Sequence, residues 1–196
     1  MNRELLETLL ALAKRDEETR ARLLEKGALY GDYAEEMQRV HRANAERLNQ
    51  IIDEHGWPGV SEVGEAGSRA AWLIAQHAIC TPELQRKFHA YLTRASERGE
   101  APTVQVAYLT DRIRFHEGRP QVYGTVFDWN EEGELSCELE DSEAVDIKRR
   151  EVGLPPFADD LRRHREEVRA EGGGPPEDYR AYRRKVRDWA RRVGWR

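Results

Sequence analysis

Apolar side chains recur at helical spacing through the first part of the chain, and this periodicity restricts the fold more than any other feature. Residues three, four or seven positions apart lie on one side of an α-helix. The first apolar series ends before Gly27, and the second runs from Met37 to Ile51 after Asp32, a predicted N-cap. The first series consists of Leu5, Leu6, Leu9, Leu10, Ala13, Leu23 and Leu24. We therefore predict that residues 1–54 form an antiparallel helical hairpin.

Glycine and proline residues punctuate the region that follows. A turn at His55–Gly59 and a helix start at Thr81–Pro82 predict two further helices. The stretch that leads to Gly118 fits neither helical nor strand periodicity; we favour a helix that ends near this glycine, and a hairpin centred on it is the alternative. Aromatic and β-branched residues on both sides of Asn130–Gly133 indicate a β-hairpin. We expect a predominantly α-helical α+β fold with one small antiparallel β-hairpin or sheet.

The end of the chain differs from the rest in charge. Residues 55–171 form a predicted central α+β domain with a candidate polar pocket, and residues 172–196 form a Gly/Pro linker followed by an amphipathic helix. From Pro175 onward there are eight basic side chains and three acidic ones, whereas the whole chain has a net charge of −5. We expect this basic helix to dock on the acidic remainder of the chain. A homo-oligomer or a protein partner bound through the helix is the alternative, and membrane or RNA binding is less favoured.

Composition limits the function classes. A net charge of −5 and a pI near 5.8 argue against general nucleic-acid binding, which favours a basic face, and we expect no specific nucleic-acid partner. No apolar run approaches the ~20 residues of a membrane span, and nothing resembles a signal peptide. Cys80 and Cys137 lie outside any CxxC pair, so we expect reduced thiols in a cytoplasmic protein. Because HxxxH, HExxH and CxxC spacings are missing, we expect no metal and no cofactor.

Five short motifs occur in a defined order. They are Trp57-Pro58, Trp72-Leu73-Ile74-Ala75-Gln76-His77, Gln85, Leu109-Thr110-Asp111-Arg112 and Gln121-Val122-Tyr123-Gly124-Thr125. Between residues 51 and 154 this order resembles an uncharacterised bacterial domain family with the pattern WP…WLxxQH…FQ…LxDR…QxYGT. The chain departs from the family at Ile79, where an acidic residue is frequent, and at Val126, where a glutamine is usual. The resemblance implies a polar pocket and no particular reaction.

Residues within these motifs are candidates for chemistry. His77 lies on a helix of apolar and small residues, and a buried imidazole needs partners for both ring nitrogens. Asp111 is its predicted partner and would orient His77 as a general base. The predicted ligand-binding side chains are Gln76, Arg112, Gln121, Tyr123 and Trp57. Gln121 and Tyr123 would share one face of a strand. A satisfied core histidine, with Arg112 paired structurally to an acid, is the alternative.

Three classes of function fit these residues. The first is a metal-independent hydrolase or lyase that acts on a small polar molecule through the His77/Asp111 acid–base pair. The second is a protein that binds and sequesters a small molecule in the same pocket without reacting with it, for example in self-protection of a producing bacterium. The third is a protein-interaction module that uses the basic C-terminal helix.

Overall fold

The structure is a computed structural model that describes residues 1–28 and 33–196. The predicted N-cap at Asp32 lies outside these described residues. The chain divides into two compact units, Met1–Val106 and Ala107–Arg196, so the boundary differs from the ones expected at residues 54 and 171. Helices dominate the described residues, and one two-stranded antiparallel sheet accompanies them. The expected predominantly helical α+β class is confirmed.

The first unit is built from helices joined by short turns. They are α1 (Arg3–Glu25), α2 (Glu35–His55), α3 (Val60–His77) and α4 (Pro82–Glu97), with a 3₁₀ turn at Ala78–Cys80. Gly56 follows α2 with φ at 80°, a conformation that glycine adopts without strain. The predicted turn between the second and third helices is therefore confirmed.

The first two helices run antiparallel, which confirms the predicted hairpin. Near the end of α1, Arg22 pairs with Glu36 at 2.5 Å. In the middle of α1, the carbonyl of Leu12 accepts a hydrogen bond from Asn44 at 3.0 Å. Buried apolar residues between the helices include Leu9 and Leu48, which are fully inaccessible to solvent. Burial of each such leucine stabilises the fold by about 1.5–3 kcal/mol.

The third and fourth helices complete the first unit. Gly64 interrupts α3 with φ at 71°. A Cβ atom at Gly67 would lie 3.0 Å from Leu6 Cδ1, so the missing side chain lets α1 and α3 approach closely. Thr81 precedes Pro82 as predicted, but its hydroxyl donates to the carbonyl of Ala78 instead of capping α4.

The second unit combines helices with the small sheet. Its elements are α5 (Thr103–Glu117), which begins in the first unit, β1 (Asp128–Trp129), β2 (Leu135–Ser136), α6 (Val145–Glu151), α7 (Phe157–Ala170) and α8 (Tyr179–Val193). The helix favoured for the stretch before Gly118 is confirmed by α5. The hairpin around Asn130–Gly133 is confirmed too, although each strand pairs through two residues only. No sequence pattern predicted α7.

Residues 121–126 form a loop instead of the expected strand. The prediction that Gln121 and Tyr123 share one face of a strand is therefore wrong. Gln121 makes an isolated bridge with Leu139, and the residues after it turn around the carboxylate of Asp111. The backbone amides of this loop donate to the Asp111 carboxylate, and they therefore do not pair with a neighbouring strand.

The helix α8 docks on its own unit through its apolar face, which confirms the expected docking on the rest of the chain. The ring of His116 lies 5.5 Å from the ring of Trp189 and 5.2 Å from the ring of Trp195, centroid to centroid. Arg183 donates to Asp128 in the hairpin at 3.0 Å. Burial of these aromatic rings anchors the helix.

The described helices and cysteines bear on two further expectations. None of the described helices is both long enough and apolar enough to cross a membrane. Neither the buried Cys80 nor the half-buried Cys137 forms a disulfide. Burial raises the pKa of the Cys137 thiol to about 12, so this side chain stays protonated and unreactive near neutral pH.

Candidate functional site

Three ionisable side chains from three helices meet inside the first unit. Asp16 of α1 is 1 % exposed. Its Oδ2 atom lies 2.9 Å from Nδ1 of His77 on α3 and 3.3 Å from Nε2 of His41 on α2. The two imidazole rings are 4.9 Å apart between centroids. We refer to Asp16, His41 and His77 as the Asp16 cluster.

The helical pattern places these side chains inward. Asp16 lies on the buried face of α1 with Leu9 and Ala13, because residues three, four or seven positions apart share a face. His41 lies on the buried face of α2 in the same way. His77 is the last residue of α3, and its side chain is 29 % exposed. Asp16 and His41 are therefore buried, and the Asp16 cluster reaches solvent at His77.

The two histidines hold Asp16 in its charged form. Burial raises the pKa of Asp16, but hydrogen bonds from His41 and His77 outweigh that effect and keep the pKa well below its ordinary value. The second carboxylate oxygen, Oδ1, is buried and has no hydrogen-bond partner within the described part of the chain. A buried charged oxygen without a donor is costly. This oxygen is therefore suited to a cation.

Tyr33 extends the cluster beyond the two imidazoles. Its hydroxyl is hydrogen-bonded to Nδ1 of His41, so the Nε2 atom of that ring faces Asp16. Burial raises the pKa of the Tyr33 phenol well above its ordinary value, with Cys80 and Asp16 adding to the effect, so the hydroxyl stays protonated. Outer hydrogen bonds of this kind orient the histidines of metal sites.

The Asp16 cluster has the composition of a metal site. One carboxylate and two imidazoles each offer a ligand atom, and these atoms lie within 4.8 Å of one another. Zinc and the divalent ions of iron, cobalt and manganese accept such nitrogen and oxygen donors. We expected no metal because the chain lacks a local metal-binding spacing. The three ligands come from separate helices, so no spacing motif encodes them.

The predicted partner of His77 has a different environment. Asp111 belongs to the second unit and is 0 % exposed. Its two oxygens accept hydrogen bonds of 2.7–3.2 Å from the amides of Val122, Tyr123 and Thr125 and from the Thr125 hydroxyl. Burial raises the pKa of Asp111, and these donors oppose the shift. The acid that orients His77 in the structure is Asp16, which replaces Asp111 in the predicted pair.

The other predicted ligand-binding residues are divided between the two units. Gln76 and Trp57 are buried in the first unit. Arg112 and Tyr123 are half-buried in the second. Gln121 is buried there, and its amide group bonds to the backbone of the loop that it begins. The structure therefore brings Gln121 and Tyr123 to the Asp111 loop, and it places Gln76 next to His77 along α3.

A buried arginine that no motif indicated holds the Asp111 loop from its other side. Arg149 is 0 % exposed and donates to the carbonyls of Tyr123 and Gly124 at 2.7 and 3.0 Å. It also pairs with the buried Asp160. Gly124 has φ at 65°, and a Cβ atom there would lie 2.6 Å from the ring of Phe157. The polar groups of this loop satisfy one another, so we interpret the loop as structural.

Comparison with known proteins identifies the family of the chain. The family of unknown function DUF6624 matches residues 3–170. The chain belongs to this family, and both the Asp16 cluster and the Asp111 loop lie within the matched residues. The helix α8 lies beyond them. Curated proteins and solved structures gave no match.

Proposed function

We propose that this protein is a divalent-metal-dependent hydrolase that acts on a small polar molecule, with the Asp16 cluster as its metal site. One observation carries the proposal. A buried carboxylate on one helix lies within 3.3 Å of imidazole nitrogens from two other helices, and its second oxygen has no hydrogen-bond partner in the described chain. Two imidazoles and one carboxylate form a ligand set used by zinc and by non-haem iron.

The distances support a shared ion. Metal–nitrogen and metal–oxygen bonds of about 2.0–2.2 Å place adjacent ligand atoms roughly 2.8–3.6 Å apart at tetrahedral or octahedral angles. The Asp16 oxygen lies 2.9 Å from the His77 nitrogen and 3.3 Å from the His41 nitrogen. Both contacts therefore have the length of an edge in a coordination polyhedron.

The exposure of the Asp16 cluster supports catalysis rather than a purely structural ion. Three protein ligands leave a coordination position for water or substrate, as in catalytic zinc sites. The side chain of His77 is 29 % exposed, so this end of the Asp16 cluster reaches solvent. A zinc ion held by Asp16, His41 and His77 would lower the pKa of a bound water to about 7, and it would thereby make a nucleophile available near neutral pH.

A hydrogen-bonded core triad without metal is the competing interpretation. In that state a hydrogen bond from His77 satisfies Oδ2 of Asp16. It leaves Oδ1 of the same carboxylate buried without a donor in the described chain. An ion bound by Asp16, His41 and His77 would bring positive charge to this carboxylate as a whole, which supports the metal interpretation.

Metal binding is tested directly on the purified full chain. The protein is stripped with a chelator and titrated with Zn²⁺ and with Co²⁺ by calorimetry, and the Co²⁺ absorption spectrum reports the ligand geometry. We expect one ion per chain for the wild type and none for Asp16→Asn or His41→Ala. His55→Ala is the matched control, because His55 lies on the same helix as His41 and is exposed. Unaltered binding by Asp16→Asn, or absent binding by the wild type, contradicts the proposal.

Hydrolysis is tested after metal binding. The wild type is loaded with metal, and Asp16→Asn is treated with the same metal solution. Each protein is incubated with a cell metabolite extract, and the extract is followed by untargeted mass spectrometry. We expect a compound that only the loaded wild type consumes, with products that gain the elements of water. If a compound co-purifies with the loaded protein and is never consumed, the hydrolase proposal is wrong and the protein is a metal-dependent binding protein.

A further inference from the structure

The outer face of α8 carries a row of basic side chains. Arg180, Arg184, Arg187 and Arg191 are spaced by four, three and four residues, so they lie along one face of the helix. All four side chains are exposed. We name these four residues the arginine stripe. Lys185, Arg192 and the acidic Asp188 are exposed beside it.

The arginine stripe is not needed to hold α8 in place. The helix is anchored on its other side, where Trp189 contacts His116 and Arg183 donates to Asp128. In the described chain, no acidic side chain forms an ion pair with any member of the stripe. Burial lowers the pKa of the nearby Arg196, and positive neighbours that include Arg187 and Arg191 add to this effect. Within the described chain the four arginines of the stripe therefore remain without an ion-pair partner.

We propose that the arginine stripe binds the phosphate backbone of a nucleic acid without reading its sequence. Like charges one helical turn apart destabilise a helix, and a row of them is stabilised by a dense line of negative charge. Arginine forms two parallel hydrogen bonds to phosphate, which suits it to this role better than lysine.

The length of the stripe fits this partner. Residues 180 and 191 are separated by about 16 Å along the helix axis, since each residue adds about 1.5 Å. One DNA strand carries a phosphate for every ~3.4 Å of duplex axis, so the stripe faces roughly five phosphates. The net charge of −5 for the whole chain does not oppose this contact, because solvent screens charges more than about 8 Å away at physiological salt.

A membrane surface fits the helix less well. Amphipathic helices that bind membranes insert an apolar face among the lipids. In α8 this face packs on the second unit, where Ala190 is buried and Trp189 contacts His116. The contact with a partner is therefore electrostatic only. The stripe also lies beyond residues 3–170, so the proposed binding belongs to the C-terminal helix and is independent of the metal site.

Nucleic-acid binding is tested by fluorescence anisotropy on the full chain. The probes are a labelled 20-base-pair duplex and a labelled 20-nucleotide single strand, at NaCl concentrations from 50 to 200 mM. For the wild type on duplex we expect the logarithm of affinity to fall with the logarithm of salt at a slope of about −3 to −4, since each neutralised phosphate contributes about −0.9. Over this salt range the affinity then falls by roughly 100-fold.

Matched variants separate the stripe from general charge. The variant R180Q/R184Q/R187Q/R191Q is expected to lose at least ~30-fold in affinity at 50 mM salt and most of the salt slope. The control R3Q/K14Q/R15Q/R47Q removes the same charge from exposed residues of α1 and α2 and should bind like the wild type. Replacing the stripe by four lysines should restore most of the binding, which separates lost charge from misfolding.

Three outcomes overturn the proposal. The first is a wild type that does not bind either probe at 50 mM salt. The second is equal loss of binding in the stripe variant and the control. The third is binding to vesicles of anionic lipid in the absence of binding to nucleic acid, which would assign the stripe to a membrane surface.

Discussion

Two of the buried aspartates, Asp16 and Asp111, lie in different units of this protein, and their surroundings are opposite. Asp111 receives hydrogen bonds on both oxygens from backbone amides and a hydroxyl of its own loop. Asp16 faces two imidazoles with one oxygen, and its other oxygen has no hydrogen-bond partner within the described residues. Both side chains are at most 1 % exposed. Burial alone therefore does not distinguish a structural carboxylate from a functional one.

The hydrogen-bond donors around each carboxylate distinguish a structural carboxylate from a functional one. A carboxylate whose oxygens are filled by fixed amides has no capacity for a ligand, and its loss disrupts the loop that it organises. A carboxylate that faces side chains able to release a proton or bind an ion keeps such a capacity. We therefore interpret Asp111 as a residue of folding and Asp16 as a residue of function, and each of the following substitutions tests this comparison.

The largest effect on stability is expected at the second unit. Asp111→Asn places an amide NH₂ against the amides of the loop, so the free energy of unfolding should fall by roughly 2–5 kcal/mol. Urea denaturation followed by circular dichroism measures this change. Asp16→Asn, the matched substitution in the first unit, should lower the metal-free stability by a smaller amount, about 1.5–3 kcal/mol, because it removes the charged partner of His77. A larger loss for Asp16→Asn than for Asp111→Asn would reverse the comparison.

The next effect is stabilisation of the first unit by metal. At a free Zn²⁺ concentration of 100 times the dissociation constant, binding should stabilise the wild-type fold by about 2.7 kcal/mol. Asp16→Asn should show no stabilisation at the same concentration. Thermal denaturation with and without the ion measures both. Equal stabilisation of the two proteins would show that Zn²⁺ binds elsewhere.

A smaller effect is expected when the outer partner of His41 is removed. Tyr33→Phe deletes the hydroxyl that contacts Nδ1 of His41 and should weaken metal affinity by about 10–100-fold while one ion still binds. Calorimetric titration gives both the affinity and the stoichiometry. Tyr91→Phe, on α4, is the control. If Tyr33→Phe binds as tightly as the control, the hydroxyl does not position His41 for the ion.

The smallest effect concerns pH and the anchoring of α8. Burial lowers the pKa of His116 to about 3, and the charges of Arg112 and Arg196 add to this shift. The folded state therefore favours the neutral ring, and its contribution to stability is present above the ordinary pKa of about 6.5 and is lost progressively as pH falls toward 3. Between pH 7.5 and 5.5 the wild type should lose about 1 kcal/mol more than His116→Phe.

Tryptophan fluorescence during urea denaturation measures this difference, since Trp189 and Trp195 contact the His116 ring. His55→Ala serves as the control because His55 is exposed. An identical pH dependence for wild type and His116→Phe would mean that this ring is not held neutral by its surroundings.

The helices with a regular apolar repeat were predictable from the sequence because they depend on local spacing, whereas α7 was not predicted. The series from Leu5 to Leu24 defined α1, and the apolar repeats after Pro175 defined α8. The strand expected after Gln121 was not correct, because its backbone groups bond to one distant carboxylate. A hydrogen-bond pattern of this kind depends on tertiary contacts that residue periodicity does not contain.

The candidate site was predictable only in part. His77 was selected from its neighbours on α3, and the structure places it in the Asp16 cluster. Asp16 and His41 were overlooked although each interrupts an apolar series at a core position. That interruption was the available signal. The pairing itself could not be predicted, because it depends on the way in which three helices pack together.

The glycine of the Asp111 loop changes what the motif QxYGT means for relatives of this chain. Gly124 has a positive φ, and any side chain there would collide with Phe157. In this chain the motif therefore allows the loop to close around Asp111. Of the five motifs, only WLxxQH contains a member of the Asp16 cluster. Under the proposed function, a survey that sorts family members by Asp16 and His41 would separate those able to hold a metal from those that share only the architecture.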